Sequence, residues 1–481
     1  AYFYSGGREL ATFAARTAEE QLNDIEKIVD HRLSGRVEII VYNTQQEYKQ
    51  ANFGISDQPA NLGGIMQVTS NRFFVFFNGN RDDFKKRIRQ GMALVLINEL
   101  MFGGFIQDRI QNAALLNLPD WYLNGLTAYI GEDWNTALDN QLKDYFNTGK
   151  VKKFNRMLYK EPTLTAQSWW RFLVEKYGVE LVSQMLYITK VSRNYETALI
   201  YVTGLDLKQA GKEWVNYYKE LYAKEDNGRT LPLQEIKVKK RLAPYIEPKL
   251  KVAPKGDFVS FTTNKMGKYK LWLVNTKTGK HKRLHKGGLK YYQRELDHSF
   301  PLMAWHPGGE KISYVHERRG RLFLTTVDLI TKKKSKLEFL KFDKITGFAY
   351  SDNGGTLVIS AIRKGQSDLY LYDMKTRKER QITNDPFDDL HPVYADGGGS
   401  ILFASNRNSD SLGSAAPLTL NTSNNLDIYV YDLEKVGQPN ALKRLSNTPN
   451  INETQPIEYS NKYYSYLTEY NGIVNRYATR V

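Results

Sequence analysis

The second half of the chain repeats one pattern of residues, and this repeat limits the folds that the chain can adopt. An aromatic or aliphatic residue precedes a polar or proline step, a glycine-containing turn and an apolar strand, and the pattern returns about every 44 residues. Four copies are present: VAPKGDFVSF at 252–261, WHPGGEKISY at 305–314, YSDNGGTLVI at 350–359 and YADGGGSILF at 394–403. One such sheet cannot bury both of its faces, so the copies are predicted to stack around an axis as blades of a β-propeller.

The repeat predicts four complete blades and the beginning of a fifth. Each copy is followed by another strand, as in DLYLYD at 368–373 and DIYVYD at 427–432, and the fifth unit lies within QPIEYSNKYYSYLTEYNGIVNRY. The fourth unit is longer because it contains the polar insert SDSLGSAAPLTLNTSNN at 409–425. This insert is either plain loop surface or a segment that contacts a partner, since long loops on rigid scaffolds often carry binding residues.

The first half has a helical pattern instead. In RELATFAARTAEEQLNDIEKIVDHRL the apolar residues fall on one helical face, and further helices are predicted at 83–101, 121–131, 165–187 and 194–224, with breaks at Gly178 and Gly204. A short sheet is predicted from VEIIVYN at 37–43 and RFFVFFNG at 72–79. The fold class is therefore multidomain: a mostly helical α+β domain at 1–228, a linker or first propeller strand at 229–245, and an all-β propeller at 246–481.

The amino-acid composition limits the kinds of site and partner that the chain can have. The chain has no cysteine, which excludes disulfides, thiol nucleophiles and cysteine-ligated zinc. Its net charge of +16 would suit nucleic acid, anionic lipid or an acidic protein. Lys and Arg are spread over 237–290 and 311–344 at alternating strand positions and in turns, without the aromatic interleaving of a platform for single-stranded nucleic acid, which favours a solvated basic face over a nucleic-acid groove.

The sequence contains no run of the roughly 18 apolar residues that a membrane-spanning helix needs. It opens on AYFYSGGREL, which has the pattern of a strand already in progress, and closes on another strand. We therefore expect a piece of a longer protein, with a signal peptide, a lipid anchor or a further domain outside it.

Two family resemblances add to these inferences. The repeat resembles the TolB-like propeller, also called the WD40-like PD40 repeat, in its aromatic-Ser/His-Pro/Asp-x-Gly-Gly turn and its D-I/L-Y-V/L-Y-D strand. The resemblance covers about 240–481 and implies six blades in total, so we expect the propeller to be truncated here. The first half resembles the peptidase-MA-like, gluzincin-type domain in DDFKKRIRQGMALVLINELMFGG at 82–104, LPDWYLNGLTAYIGEDWN at 118–135 and QSWWRFLVEKYG at 167–178.

The peptidase resemblance implies a zinc motif that this chain has lost. Active relatives carry H-E-x-x-H on the first of these segments and a glutamate ligand on the second, because imidazoles four residues apart point off one helical face towards a metal. Here the matching positions are Gln90, Gly91, Leu94 and Asn124, and His31 is the one histidine before residue 280. A second register, which reads Asn98 to Phe102, keeps Glu99 but also lacks both imidazoles.

Neutral amide side chains do not hold Zn²⁺ against water, so the resemblance implies a degenerate, catalytically inactive domain with no metal and no cofactor. The apolar residues Met92 and Leu94 predict a filled interior at the former site.

Other candidate groups have ordinary structural explanations. His281 and His285 are expected to be exposed hairpin residues, and His306 is expected to have a structural role in a turn. The acidic pair Asp388 and Asp389 is expected at a turn that enters a blade, with calcium binding as a weak alternative. The tryptophans Trp121, Trp169, Trp170 and Trp214 are predicted to pack in the interior.

The sequence thus favours a non-catalytic protein-binding or scaffolding component of a bacterial envelope assembly, outer-membrane or secretion-associated. Its partners would be other envelope proteins rather than nucleic acid, and it would lie in the periplasm or at the outer membrane of a Gram-negative bacterium. Two alternatives stay open. One is a hydrolase that uses a rearranged site or a catalytic part outside this sequence, and the other is a binder of anionic polymer or lipid headgroups.

Overall fold

The computed structural model divides the chain into two compact units. The first contains the described residues of 1–42, 51–76 and 83–233, and the second contains those of 43–50, 77–82 and 234–481. The second unit thus includes two short segments from the first half of the sequence. The structure describes residues 1–3, 6–50, 66–69, 71–103, 118–151, 153–229, 242, 246–289, 297–408, 425–460 and 463–480.

Helices make up most of the first unit. With α2 (Gln45–Gln50) in the second unit, the helices are α1 (Arg8–Val29), α3 (Arg81–Phe102), α4 (Asp120–Gly131), α5 (Thr136–Asn147), α6 (Phe154–Lys160), α7 (Pro162–Tyr177), α8 (Glu180–Ser192), α9 (Tyr195–Thr203) and α10 (Leu207–Asp226). Side chains fix several of the helix starts. Asn135 and Asn194 accept hydrogen bonds from the first backbone N–H groups of α5 and α9, and Asp206 forms a capping box with Gln209.

The structure confirms the two helix breaks that the sequence predicted. Gly178 and Gly204 follow the last residues of α7 and α9 with φ of 92° and 72°, a backbone region that favours glycine. These breaks divide the predicted helical segment 165–187 into α7 and α8, and the segment 194–224 into α9 and α10. Helices α5 and α6 were not predicted, because their short apolar stripes give little periodicity.

The first unit also contains a four-stranded sheet. Its strands are β1 (Tyr2–Phe3), β2 (Glu38–Tyr42), β3 (Met66–Thr69) and β4 (Arg72–Phe76), in the order β1-β2-β4-β3. β2 and β4 are parallel neighbours, with Ile39 opposite Phe73, so the two segments predicted to share a sheet do so. Three of the four tryptophans predicted as interior residues, Trp169, Trp170 and Trp214, are fully buried.

Five sheets form the β-propeller of the second unit. Four have four antiparallel strands, and the fifth, within the described residues, has three. The strands are β5 (Ile246–Val252), β6 (Phe258–Lys265), β7 (Lys268–Asn275), β8 (His281–Gly287), β9 (Leu302–Trp305), β10 (Lys311–Arg318), β11 (Arg321–Asp328), β12 (Lys334–Phe339), β13 (Lys344–Tyr350), β14 (Thr356–Arg363), β15 (Gln366–Asp373), β16 (Glu379–Gln381), β17 (Asp389–Ala395), β18 (Ser400–Ser405), β19 (Asp427–Asp432), β20 (Leu442–Arg444), β21 (Glu453–Ser460), β22 (Tyr463–Thr468) and β23 (Asn475–Arg480).

Local turn chemistry and apolar packing explain this arrangement. The turns between the second and third strands of the first three sheets are Met266-Gly267, Arg319-Gly320 and Lys364-Gly365, all with positive φ at both residues, as two-residue hairpins of this twist require. The first strands of successive sheets contact one another from β5 through β9, β13 and β17 to β21. Buried clusters fill the space between neighbouring sheets, as where Phe339 packs on Tyr372 and Phe342 packs on Tyr370.

The predicted fold class, a mostly helical α+β domain followed by an all-β propeller, is confirmed. The described residues give five blades, and the sixth that the resemblance implied stays a prediction. The insert at 409–425, apart from Asn425, and most of the linker at 229–245 lie outside the described residues. In the described part of the chain, no helix is both long and apolar enough to cross a membrane.

Candidate functional site

Helix α3 carries the positions that the peptidase resemblance assigned to the zinc motif. Gln90, Met92 and Leu94 are all buried there, with at most 8% of each residue exposed. Because residues four apart share a helical face, Gln90 and Leu94 point in the same direction, as the two imidazoles of an active relative would. The side chains on this face are an amide and an alkyl group, neither of which is a ligand for zinc.

Two glycines show how tightly this helix is packed. A Cβ atom on Gly91 would lie 2.4 Å from the ring of Phe73 in β4, and a Cβ on Gly131 of α4 would lie 1.9 Å from Cγ of Gln90. Both distances are far inside van der Waals contact. Position 91 therefore faces the sheet, and the Gln90 side chain lies directly against the end of α4.

Asn124, the matching position on α4, is half-buried. It precedes Gly131 by seven residues, which is about 10 Å along a helix axis at 1.5 Å per residue. The Gln90 side chain thus packs about two turns away from Asn124. The structure brings Gln90 to α4 but does not gather Gln90, Leu94 and Asn124 into one set of ligands.

The structure does bring together His31 and Glu99, two residues that the sequence analysis considered separately. His31 follows the end of α1, and its Nε2 lies 3.1 Å from Oε1 of Glu99 in α3. The same oxygen accepts a hydrogen bond of 2.9 Å from the backbone N–H of Ser34. The Glu99 side chain is 4% exposed and that of His31 is 26% exposed.

The contacts of Glu99 with His31 and Ser34 fix the loop between α1 and β2. Burial would raise the pKa of Glu99, but hydrogen bonds from Ser34 and His31 outweigh it, so the pKa is lowered. A general base works best with a pKa near the operating pH, and these contacts move Glu99 away from that value. Glu99 therefore remains an ionised acceptor that fixes the chain between α1 and β2.

The most extensive polar cluster lies in the propeller unit, around Asp388 and Asp389. Both residues lie where the sequence analysis expected the entry to a blade, Asp388 directly before β17 and Asp389 at its start, and both are fully buried. Asp388 accepts hydrogen bonds from the backbone and the guanidinium of Arg81. Asp389 accepts from Arg407, whose Nη2 lies 2.6 and 2.8 Å from the two carboxylate oxygens, and Arg407 also donates to Asp385 at 3.1 Å.

A third carboxyl group, Asp368, completes this cluster. Ligand oxygens of Asp368, Asp385 and Asp389 lie within 4.8 Å of one another, which is a donor set that a hard cation such as Ca²⁺ accepts. Arg407 already supplies positive charge at this point. Burial and the neighbouring charges of Asp389 and Asp385 raise the pKa of Asp368 to about 8, so it is largely protonated at neutral pH.

Comparison of the repeats explains why Asp368 is protonated. The equivalent residue of the next sheet is Asp427, in the same D-I/L-Y-V/L-Y-D strand, and it receives a hydrogen bond from Arg444. The residue at the position of Arg444 is Gln381, whose amide donates to Asp368 at 3.1 Å. An amide supplies no compensating charge, so burial raises the pKa of Asp368 more effectively.

Arg407 and Asp368 were missed at the sequence level, although the repeat contained a signal for Arg407. Lys265, Arg318, Arg363 and Arg407 each stand seven residues after the start of the second strand of a blade. Of these four basic residues, Arg407 is fully buried. Its burial depends on Asp385 and Asp389, and no local pattern indicates that contact.

One histidine prediction is wrong. His285 was expected to be an exposed hairpin residue, but it is half-buried, and the centroids of its ring and the His316 ring lie 4.7 Å apart between the first and second sheets. Nδ1 of His285 contacts the Tyr314 hydroxyl at 3.3 Å, and Nε2 of His316 contacts Thr325 Oγ1 at 3.1 Å. Burial lowers the pKa of both histidines to about 4. The turn role of His306 is confirmed, since its Nδ1 accepts the backbone N–H of Gly308 at 3.2 Å.

Comparison with known proteins gives structural neighbours only. No family model and no curated protein sequence matches the chain. Among solved structures, TolB from Acinetobacter baumannii is similar over 48% of this chain and 54% of its own, with 12% identity and a TM-score of 0.33. The propeller domain of the Trilobed protease from Pyrococcus furiosus is similar over 49% and 80%, with 12% identity and a TM-score of 0.32.

A third neighbour is dipeptidyl peptidase 4 from Porphyromonas gingivalis, with 12% identity over 48% of this chain and 37% of that protein, and a TM-score of 0.30. The chain spans about half the length of the TolB structure. The neighbours thus include TolB propellers, and the fold assignment rests on the five sheets of the chain itself.

Proposed function

We propose that this chain is a non-catalytic protein-binding component of a bacterial envelope assembly, outer-membrane or secretion-associated, with a degenerate peptidase-like domain. The packing of α3 is the observation that supports the proposal of a non-catalytic protein. Gly91 lies against Phe73 and Gln90 lies against Gly131, so the face that would hold a metal in an active relative is filled by the interior of the unit.

A surface on α8 and α9 supports the binding part of the proposal. These helices pack against each other, and they leave Tyr187 and Val191 of α8, and Ile200 and Tyr201 of α9, between 51% and 79% exposed. Apolar side chains exposed in such numbers on one helical hairpin are typical of a site that another protein covers. We propose a protein partner because aromatic residues dominate interface energetics.

We place the chain in the periplasm or at the outer membrane of a Gram-negative bacterium. The repeat resemblance described above supports this location. Fractionation of cells that express the full-length protein tests it: release with the periplasmic or outer-membrane fraction is expected, and recovery with the cytoplasmic fraction would contradict it.

Partner binding is tested by crosslinking and capture of the full chain from native membranes. The same envelope protein should be recovered repeatedly with the wild type and lost with the Tyr187→Ser/Tyr201→Ser variant. Tyr159→Ser is the matched control, because Tyr159 is 91% exposed on α6, outside this hairpin. The identified partner, once purified, should bind the wild type directly, and equal binding by the double variant would reject the surface.

Absence of catalysis is tested separately. Purified protein is incubated with unfolded casein and added zinc, and the expected result is no cleavage above the background of a mock purification. Saturable, metal-dependent cleavage that is abolished by Glu99→Gln would support the hydrolase alternative and overturn the non-catalytic proposal.

The net charge of +16 favours a second candidate function, binding of anionic polymer or lipid headgroups. Such binding weakens steeply as salt rises, because it depends on counterion release and on unscreened charge. Retention on heparin and on anionic vesicles at low salt, lost at moderate salt, would support this function. Association with a protein partner through α8 and α9 should survive the same salt.

A further inference from the structure

A basic pocket lies on the first sheet of the propeller. Its volume is about 410 Å³, within the range of small-molecule sites, and its lining includes Lys265, Lys268, Lys270, Trp272 and Arg283. None of the described residues that line it is acidic. Four cationic side chains therefore surround one indole ring.

The strand register explains how these residues meet. Leu271 and Leu273 of β7 point into the apolar cluster shared with the second sheet. Side chains alternate along a strand, so Lys270 and Trp272 point to the opposite face. Arg283 of β8 lies directly opposite Trp272. The Trp272 Nε1–H donates to Thr263 Oγ1 at 3.0 Å, which holds the indole ring in place.

Like charges stand directly opposite each other on this face. The antiparallel ladder pairs Lys270 with Lys286 between β7 and β8. Like charges at directly opposed positions destabilise a sheet. A bound anion would remove this repulsion, so the same residues that weaken the sheet favour binding of negative charge.

We propose that this pocket binds an anionic saccharide, a sugar-like ring that carries clustered phosphate or sulfate groups. The ammonium and guanidinium groups pair with the anionic groups, and Arg283 offers the geometry for a bidentate contact. The ring packs on Trp272. Single-stranded nucleic acid is less well suited, because its binding uses a succession of aromatic platforms and this pocket offers one.

This site deepens the second candidate function, binding of anionic polymer or headgroups, and does not depend on the surface of α8 and α9. It lies in the propeller unit, whereas α8 and α9 belong to the other unit. Loss of protein binding through α8 and α9 would leave the anion site intact, and the reverse also holds.

The test is isothermal titration calorimetry of the full chain with inositol hexakisphosphate, which has one ring and six phosphate groups. Saturable binding is expected, and Lys270→Ala/Arg283→Ala should weaken it by at least about tenfold, since two charge-assisted contacts are lost. The control is Lys375→Ala/Lys378→Ala, which removes the same charge from exposed positions of the third sheet. The control should change the affinity by less than about twofold.

Two further arms separate the possible sources of the anion. Trp272→Phe should weaken saccharide binding if the ring packs on the indole, and nuclear magnetic resonance of the indole N–H groups should show one of the seven signals moving on titration. Vesicles with phosphorylated-inositol headgroups show whether a membrane presents the same group. No binding, equal losses in both double variants, or tighter binding of single-stranded oligonucleotides would each overturn the proposal.

Discussion

Arg407 is the residue on which the buried charge cluster of the propeller depends. It is fully buried and donates hydrogen bonds to both Asp389 and Asp385. Removal of one partner from a buried ion pair leaves an uncompensated charge in a medium that solvates it poorly. The pairing therefore stabilises the segment that follows β18, although an apolar replacement of the whole cluster need not be destabilising.

We expect Arg407→Gln to lower the free energy of unfolding by about 3–5 kcal/mol, because two carboxylates lose their counter-charge. Urea denaturation followed by circular dichroism measures this loss. Arg380→Gln is the control, since Arg380 is exposed and its replacement should change stability by less than about 0.5 kcal/mol. Equal effects of the two variants would show that the cluster is not stabilised by Arg407.

Asp368 should make the propeller less stable as the pH rises. Its pKa is about 8 when folded and about 3.8 when unfolded, so the folded state binds more protons between these values. Stability from this group is complete below pH 4 and is lost as the pH rises towards 8. We expect Asp368→Asn to reduce the decline in unfolding free energy between pH 6.5 and 9, measured by urea titrations at each pH. An unchanged pH profile would contradict the protonated state.

At the scale of elements, the contact between α3 and β4 leaves no room for a side chain at position 91. Gly→Ala within a helix usually stabilises by about 1 kcal/mol. At Gly91 the added methyl group would meet the Phe73 ring at 2.4 Å, and overpacking of this kind costs about 1–3 kcal/mol. We therefore expect Gly91→Ala to be destabilising, against the normal helix preference.

A double-mutant cycle checks the cause. In a Phe73→Val background the clash is relieved, so Gly91→Ala should become neutral or stabilising in chemical denaturation. If Gly91→Ala stabilises the wild-type background, then α3 is not packed against the sheet as described, and the argument for a filled metal position fails with it.

The His285 and His316 rings join the first two sheets, and their neighbours make this contact sensitive to acid. Lys334, Lys336 and Arg318 are the charged groups that disfavour protonation, and Tyr314 packs beside both rings. Both histidines have a pKa of about 4 when folded, below the unfolded value of 6.5. The unfolded state therefore binds more protons in this range, and stability falls as the pH drops from 6.5 towards 4.

We expect His285→Gln to reduce this acid loss by about 1–3 kcal/mol at pH 4 relative to pH 7. Thermal or urea unfolding across the pH range gives the slope. His298→Gln is the control, because His298 is an exposed histidine outside this pair. A wild-type slope in the His285 variant would show that the pair does not control acid stability.

At the scale of the whole molecule, the sequence predicted the division into a helical α+β part and a propeller. It did so because both signals are local: helical periodicity in the first half, and a strand-turn-strand repeat in the second. Two kinds of contact could not be predicted. The segments at 43–50 and 77–82 join the propeller unit through residues such as Arg81, and Arg407 reaches carboxylates about 20 residues earlier in the chain.

The candidate site was predicted less completely than the fold. The resemblance placed Gln90, Gly91, Leu94 and Asn124 in a former zinc site, and the sequence shows directly that no imidazole is present at these positions. It did not show that Gln90 packs against Gly131 instead of lying near Asn124. The pairing of His31 with Glu99 joins residues 68 apart in sequence, and neither residue has a local pattern that indicates the other.

The zinc content of the full chain tests the central claim most directly. Protein purified from zinc-supplemented medium and dialysed without chelator is measured by inductively coupled plasma mass spectrometry. We predict far less than one zinc per chain, with no difference between the wild type and the Gln90→Ala and Asn124→Ala variants. One zinc per chain, lost in either variant, would contradict the account of a packed and metal-free α3.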